Sequence, residues 1–93
     1  MKRHTRIYLE YFGYDETDFI PCEVCGGKSV DIHHIKARGM GGDPKGKKDV
    51  IENLQALCRE CHTNYGDQRA YRKMLNDYHK AKLNVHNRDK TTR

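Results

Sequence analysis

The sequence predicts a small α+β domain that is stabilised by a bound metal ion. A chain of 93 residues buries only a modest core, and here 35% of the residues are hydrophobic, 33% are charged and none is Trp. Two CxxC pairs offer a staple of the kind that small domains need. Helix-like patterns lie near both ends of the chain, and strand-like patterns lie between them. We therefore expect residues 1–93 to form a single domain.

The first element is a short amphipathic helix. Its apolar residues are at helical spacing, and Gly13 is placed to end the helix in a left-handed conformation. These positions predict a helix over about residues 5–12. A turn-rich stretch comes next, and Pro21 makes the entry to the first cysteine pair extended.

Two short strands with a long loop between them come next in the chain. Residues 29–35 are rich in β-branched side chains and alternate as a strand does. Residues 38–48 mix glycine, proline and charge, which predicts a loop, and a long loop in a compact domain is often functional. Asp49 can cap a short turn after this loop. Residues 53–58 alternate weakly, so periodicity alone permits either a strand or a helix there.

The last part of the chain is predicted to be helical. Residues 59–65 form a short helix that Gly66 interrupts, and Asp67 caps the next helix. This second amphipathic helix is predicted over about residues 68–82, and the polar tail 84–93 is expected to fray. The apolar face of the helix consists of Tyr71, Met74, Leu75 and Tyr78.

The cysteine pairs predict a structural zinc site. Tight CxxC turns at Cys22–Cys25 and Cys58–Cys61 each present two thiolates to one tetrahedral ion, which leaves no open coordination position for catalysis. Glycines after Cys25 permit the backbone turn that frees N–H groups to bond sulfur. Residues 26–57 between the pairs exceed ordinary zinc-ribbon spacing, so a sub-structure is inserted there. The alternatives are two disulfides or a redox CxxC motif.

The expected compartment helps to choose among these alternatives. The chain has no long apolar run and its basic start is not followed by a signal-like stretch, so we expect a cytoplasmic protein with no membrane association. Reduced cysteines there are metal ligands rather than disulfides.

The formal charge of +5 and the pI near 9.1 indicate an acidic partner, of which nucleic acid is the usual one. A solvated cationic surface is the alternative.

Of the six histidines, three are placed suggestively. His33 and His34 are neighbours in the first predicted strand, and His62 directly follows the last cysteine. The remaining histidines lie on terminal or helical surfaces, where we expect them to be solvated; they are His4, His79 and His86.

Four segments together resemble the HNH endonuclease family in its four-cysteine form. They are Cys22–Cys25, Asp31–Ile35, Gly41–Gly42 and Asn53–His62, within roughly residues 20–67. The resemblance implies a ββα-metal (His-Me finger) motif with two zinc knuckles, here flanked by the N- and C-terminal helices. It also favours the strand over the helix at residues 53–58.

The resemblance implies a role for each polar residue of the motif. His34 matches the general base, and His33 and His62 match ligands of a catalytic divalent ion. Asn53 matches the residue that fixes the loop, so that a backbone carbonyl holds the base in the correct tautomer. Asp31 is a candidate third ligand.

The metal set is inferred from a departure from the family. We expect Mg²⁺ or Mn²⁺ as the catalytic ion. Because His33 stands where the family often has Asp, the pair of imidazoles is a softer ligand set, and we expect Ni²⁺ or Zn²⁺ to be accepted as well. Some members add a histidine or lysine one helical turn after the His62 position, where this chain has Tyr65 and Gly66.

The implied activity is hydrolysis of DNA phosphodiester bonds, by nicking or by double-strand cleavage. Duplex DNA is the expected partner, and five cations around the predicted loop are candidates to contact its phosphates: Lys36, Arg38, Lys45, Lys47 and Lys48. A homodimer or an accessory protein are further candidate partners, since small members of the family resemble phage or mobile-element nucleases. The competing interpretations are a non-catalytic zinc-knuckle module that binds nucleic acid and a thiol redox protein.

Overall fold

A computed structural model of the chain describes residues 2–36 and 48–91. It confirms the small α+β class, with helices around a two-stranded sheet. In chain order the helices and strands are α1 (Arg3–Phe12), β1 (Asp31–His34), β2 (Leu54–Leu57), α2 (Arg59–Tyr65) and α3 (Arg72–Thr91). Short 3₁₀ turns at Ile51–Asn53 and Arg69–Tyr71 precede β2 and α3.

The two strands form an antiparallel hairpin that ends at α2. In its register His33 pairs with Gln55 and His34 pairs with Leu54. All four residues of β2 are buried, because the helices cover both faces of this strand. Residues 54–57 are therefore a strand, and the weak alternation in the sequence reflects burial on two sides.

Helix α1 packs its apolar face on the hairpin. Tyr8 and Leu9 join Ile32, Leu54 and Ala56 in one buried cluster. The helix begins at Arg3, slightly before the predicted start, and ends at the predicted glycine. Gly13 has φ 74°, and its N–H donates to the carbonyl oxygen of Glu10 at 3.3 Å. Local sequence therefore determines where the helix ends.

Helix α3 runs further than the apolar pattern predicts. Residues 84–91 are helical, where the sequence pattern predicts a helix end near residue 82 and a tail beyond it. Contacts with α1 explain the extension, since the Tyr11 hydroxyl donates to Asn87 Oδ1 at 2.9 Å and the ring of His86 lies 5.1 Å from that of Phe12. No helix in the described ranges 2–36 and 48–91 is long and apolar enough to cross a membrane.

Two of the histidines that we expected to be solvated lie inside the fold. His79 is 1% exposed; its Nδ1 lies 2.8 Å from Glu23 Oε1 and its Nε2 lies 2.5 Å from the carbonyl oxygen of Ile51. The Tyr8 hydroxyl donates to the other oxygen of Glu23 at 2.5 Å. Burial, together with the charge of Glu23, raises the pKa of Tyr8 well above its usual range. His4 is also buried. Polar partners offset the free-energy cost of burying these imidazole rings. The spacing of residues along a helix does not reveal such partners, so the sequence pattern did not predict this burial.

Candidate active site and zinc centre

The four cysteines lie together at the base of the hairpin. The sulfur atoms of Cys22, Cys25, Cys58 and Cys61 are all within 4.8 Å of one another. The Sγ atoms of Cys25 and Cys58 are 3.6 Å apart. A tetrahedral zinc with Zn–S bonds of about 2.3 Å separates its sulfurs by roughly 3.8 Å, so this donor set fits zinc.

Backbone N–H groups support these thiolates. Gly26 adopts φ 79°, and the next N–H, of Gly27, donates to Cys25 Sγ at 3.4 Å. Burial raises the pKa of the Cys22 thiol, but backbone hydrogen bonds from Cys25 and Cys58 outweigh it and bring that pKa down to about 7. These hydrogen bonds therefore favour the thiolate form of Cys22, which is the form that binds a metal.

Helix α2 links the zinc centre to the histidines. Cys58 caps the helix, and its Sγ accepts the N–H of Cys61 at 3.3 Å. His62 comes directly after Cys61, and its N–H donates to the carbonyl oxygen of Cys58 at 2.9 Å. One helical turn therefore provides the last thiolate and carries His62 toward β1.

His33, His62 and Asp67 form a second group of candidate metal ligands. Their ligand atoms are all within 4.8 Å, and the rings of His33 and His62 are 4.9 Å apart. His33 Nε2 is buried, and among the described residues it has no hydrogen-bond partner; Asp67 Oδ1 is 4.0 Å away. Burial lowers the pKa of His33, which favours the neutral ring that a metal needs. The orphaned nitrogen and the donor set fit a divalent ion.

Asp67 is a candidate ligand that the sequence pattern did not predict. It comes after Gly66 and adopts φ 58°, a left-handed conformation that is uncommon for a residue with a side chain. A Cβ at Gly66 would lie 2.5 Å from the carbonyl oxygen of His62. Glycine therefore lets the chain turn tightly at the end of α2 and return Asp67 to His33. In the sequence, the signal available for predicting this ligand is an acidic residue directly after a glycine. The same pattern also fits a residue that caps a helix.

His34 belongs to a neighbouring group with Asp49 and His4. Its Nε2 lies 2.5 Å from Asp49 Oδ1, and both side chains are largely buried. The ring of His4, from α1, is 4.5 Å from the ring of His34. The resemblance implied that a backbone carbonyl holds this histidine, whereas the structure presents the Asp49 carboxylate to Nε2. The sequence pattern assigned Asp49 only to a turn.

Asn53 holds the two ends of the segment 37–47. Its Oδ1 accepts the N–H of Lys36 at 2.8 Å, and its Nδ2 donates to the carbonyl oxygens of Lys36 at 3.1 Å and Lys48 at 3.0 Å. It also accepts, through its own carbonyl, the N–H of Ile35 at 2.9 Å. The residue therefore ties β1 to the approach of β2.

A polar cleft of about 210 Å³ gives access to both histidine groups. Its lining is Lys2, His4, Asp31, Ile32, His33, His34 and Asp67. Asp31, our candidate third ligand, lies at the cleft, and its Oδ1 accepts the N–H of Ile32 at 2.9 Å. The carboxylate grouped with His33 and His62 is that of Asp67 instead.

The predicted DNA contacts are only partly described. Lys36 is exposed and Lys48 is half-buried, and the two residues flank the segment 37–47, where the sequence predicts a loop. Arg38, Lys45 and Lys47 lie outside the described residues, as do Gly41 and Gly42.

Comparison with models of protein families identifies the family that contains this arrangement of cysteines and histidines. The family model described as HNH endonuclease matches residues 22–68, just over half of the 93 residues. The chain belongs to the HNH endonuclease family. This membership indicates a nuclease or other nucleic-acid-related function. The match includes the zinc ligands and His33, His34, His62 and Asp67, whereas His4 and α3 of this HNH protein lie outside it. Comparisons with curated proteins and with solved structures found no match.

Proposed function

We propose that this HNH protein is a metal-dependent DNA endonuclease that hydrolyses phosphodiester bonds. The observation that carries the proposal is the placement of His33 and His34 on one polar cleft, with the first beside His62 and Asp67 and the second against Asp49. Family membership provides the chemical context. A binding module needs neither a ligand group nor a histidine paired with a carboxylate.

His34 acts as the general base in this proposal. Its Nε2–H donates to Asp49, which leaves the lone pair on Nδ1 to take a proton from water. The carboxylate fixes the tautomer and stabilises the imidazolium that forms, as it does in other histidine–carboxylate pairs. The resulting hydroxide attacks phosphorus in line with the leaving 3′ oxygen.

His33, His62 and Asp67 would hold the catalytic ion. When bound, a divalent ion supplies Lewis-acid stabilisation of the charge that grows on the phosphate and the leaving oxygen. Two imidazoles and one carboxylate suit Mn²⁺, Ni²⁺ or Zn²⁺, with Mg²⁺ also usable. The Asp67 side chain is 64% exposed, so phosphate and water can approach from that side.

Cations within and beside the segment 37–47 of the sequence would bind the DNA backbone. Lys36 and Lys48 flank the segment that Asn53 closes, and Arg38, Lys45 and Lys47 lie within or beside it in sequence. Contacts to phosphate provide affinity that is independent of base sequence and falls with salt. Duplex DNA is the proposed substrate, and cleavage of both strands would require a second copy or a second encounter.

A plasmid assay tests the proposal. Supercoiled plasmid incubated with the purified protein and Mg²⁺ or Mn²⁺ should be nicked, and a chelator should stop the reaction. Because a general base contributes roughly 10²- to 10⁴-fold, His34→Ala should slow nicking by at least about 100-fold. His86→Ala removes a remote histidine and serves as the matched control.

The folded state of each variant is checked by thermal unfolding and zinc content. Nicking by folded His34→Ala at the rate of the unchanged protein would remove His34 from the base role. DNA binding without cleavage under every metal would instead favour the non-catalytic zinc-knuckle module.

A further inference from the structure

We infer that His4, His34 and Asp49 form a second cation site, which takes an imidazole-preferring divalent ion such as Zn²⁺ and thereby blocks the base. The binding site stands on geometry alone. Its inhibitory consequence rests on the proposed function, because only a base can be blocked. Since His4 lies outside residues 22–68, this site is not contained in the segment that matches the family.

Three separate segments converge at this site. His4 comes from the first turn of α1, His34 from the end of β1, and Asp49 from the chain that leads to β2. The ligand atoms of all three are within 4.8 Å of one another. His4 is 7% exposed and Asp49 is 8% exposed, so both side chains are held by packing. The donors are therefore gathered before any ion arrives.

The donor set selects the class of ion. Two imidazoles and one carboxylate favour Zn²⁺, Ni²⁺ or Cu²⁺, whereas Mg²⁺ prefers oxygen ligands and retains its waters. The cleft that opens on His33 also reaches His4 and His34, which gives an ion a path from solvent. Because the group of His33, His62 and Asp67 offers the same types of donor, the two sites differ in affinity rather than in the class of ion that they accept.

Positive charge nearby makes the second site the weaker of the two. Helix α1 begins at Arg3, so the positive end of its dipole lies close to His4, which belongs to this site alone. An ion must also replace the hydrogen bond between His34 and Asp49. The group of His33, His62 and Asp67 has an exposed carboxylate that is free of this hydrogen bond. We therefore expect the second ion to bind only when metal is in excess.

Occupation of the site would remove the base. An ion on His34 uses an imidazole lone pair and separates the ring from Asp49, so His34 can no longer accept a proton from water. Excess Zn²⁺ should therefore inhibit Mg²⁺-supported nicking. The device would limit cleavage when loosely held transition metal is abundant.

A cobalt titration tests the site without reference to cleavage. Protein with zinc on its four cysteines is titrated with Co²⁺, and the ligand-field absorption and bound stoichiometry are measured. The unchanged protein should bind two Co²⁺ ions, and the absence of thiolate-to-cobalt charge transfer shows that the zinc stays in place.

Variants assign the two ions. His4→Phe keeps a ring against His34 and removes both nitrogens, so it should lose the weaker ion and keep the tighter one. His62→Ala should lose the tighter ion and keep the weaker one. Asp49→Asn should also lose the weaker ion, and it decides the question if His4→Phe does not fold.

The outcomes separate this inference from the proposed function. If His4→Phe and Asp49→Asn both still bind two Co²⁺ ions, or if the unchanged protein binds only one, the second site is overturned. In the nicking assay, excess Zn²⁺ should slow the unchanged protein by about tenfold or more and His4→Phe by much less, each relative to the same protein without Zn²⁺. If these variants lose the weaker ion but the unchanged protein never cuts DNA, the second site is upheld and the proposed function is rejected.

Discussion

At the scale of single residues, two adjacent histidines serve two different groups. Side chains alternate along a strand, so His33 and His34 leave β1 in different directions. The ring of His33 meets that of His62, and the ring of His34 meets that of His4. A polar cleft is nevertheless lined by both histidines, which allows a metal and a base to act on one phosphate in the proposed mechanism.

Asp67 is the residue whose proposed role is most directly testable. Asp67→Asn keeps the shape of the side chain and removes its negative charge, so it weakens attraction for a divalent ion. Loss of even an outer-shell partner of a ligand costs roughly 10- to 100-fold in metal affinity, and a direct ligand should matter at least as much. The Mn²⁺ concentration that half-saturates nicking should rise by about that factor.

Asp77→Asn is the matched control, because Asp77 is an exposed α3 carboxylate paired with Lys73. It should leave the Mn²⁺ requirement unchanged. An identical Mn²⁺ dependence in Asp67→Asn and the unchanged protein would exclude Asp67 from the metal site.

At the scale of elements, the turn after α2 matters as much as the helix. Residues 59–65 provide Cys61 and His62, and the turn at Gly66 decides whether Asp67 can reach His33 and His62. Gly66 has φ −65°, a backbone conformation that any residue can adopt. A side chain is excluded there because its Cβ would lie too close to the His62 carbonyl oxygen. Helix propensity alone would have identified this glycine only as a break.

Gly66→Ala should therefore affect both stability and metal binding. The added Cβ would lie 2.5 Å from the His62 carbonyl oxygen, so backbone atoms must move. Overpacking of this kind costs about 1–3 kcal/mol in the free energy of unfolding. The displaced turn should also raise the Mn²⁺ concentration that half-saturates nicking. Urea unfolding and metal titration measure the two effects.

Gly13→Ala separates the two effects. Gly13 has φ 74° and open space around it, so alanine there strains the backbone without a clash. It should lower stability by roughly 1–2 kcal/mol and leave the Mn²⁺ requirement unchanged. Equal metal requirements for both variants would show that the turn does not position Asp67.

At the scale of the whole molecule, two apolar clusters lie on either side of the hairpin. One joins α1 to the strands, and the other contains Ile35, Leu57, Leu75 and two of the cysteines, Cys22 and Cys61. Because two of the cysteines that could bind zinc belong to this second cluster, zinc binding there would be coupled to core formation. We expect this coupling to supply stability that a core with few apolar residues does not.

Removal of the structural zinc should therefore unfold the domain. A structural zinc contributes about 10–16 kcal/mol in small zinc domains, which is as large as the roughly 5–15 kcal/mol by which most domains are stable. A strong chelator should abolish the cooperative thermal transition followed by circular dichroism, and Cys58→Ser should have the same effect. Reducing agent alone is the control and should change nothing. A cooperative transition that survives in zinc-free protein would contradict the structural role.

Much of the fold was predictable because its signals are local. Paired CxxC turns specified the thiolate cluster, and Gly13 specified the end of α1, since each depends on a few adjacent residues. The strand at Leu54–Leu57 was predictable only with help from the family resemblance. Its periodicity is weak because Gln55 is also buried, where its amide donates to the carbonyl oxygen of Leu75 at 2.9 Å.

By itself, the sequence determined the α+β class, the four clustered cysteines and the family. Only the tertiary structure decided that Asp67 joins His33, that Asp49 faces His34, and that His4 completes the second group. The physical reason is distance along the chain: these contacts depend on how α1 packs against the hairpin and how the chain turns at Gly66. No local sequence pattern encodes the packing angle of α1 or the direction of the turn at Gly66, because packing between separate segments sets both of them.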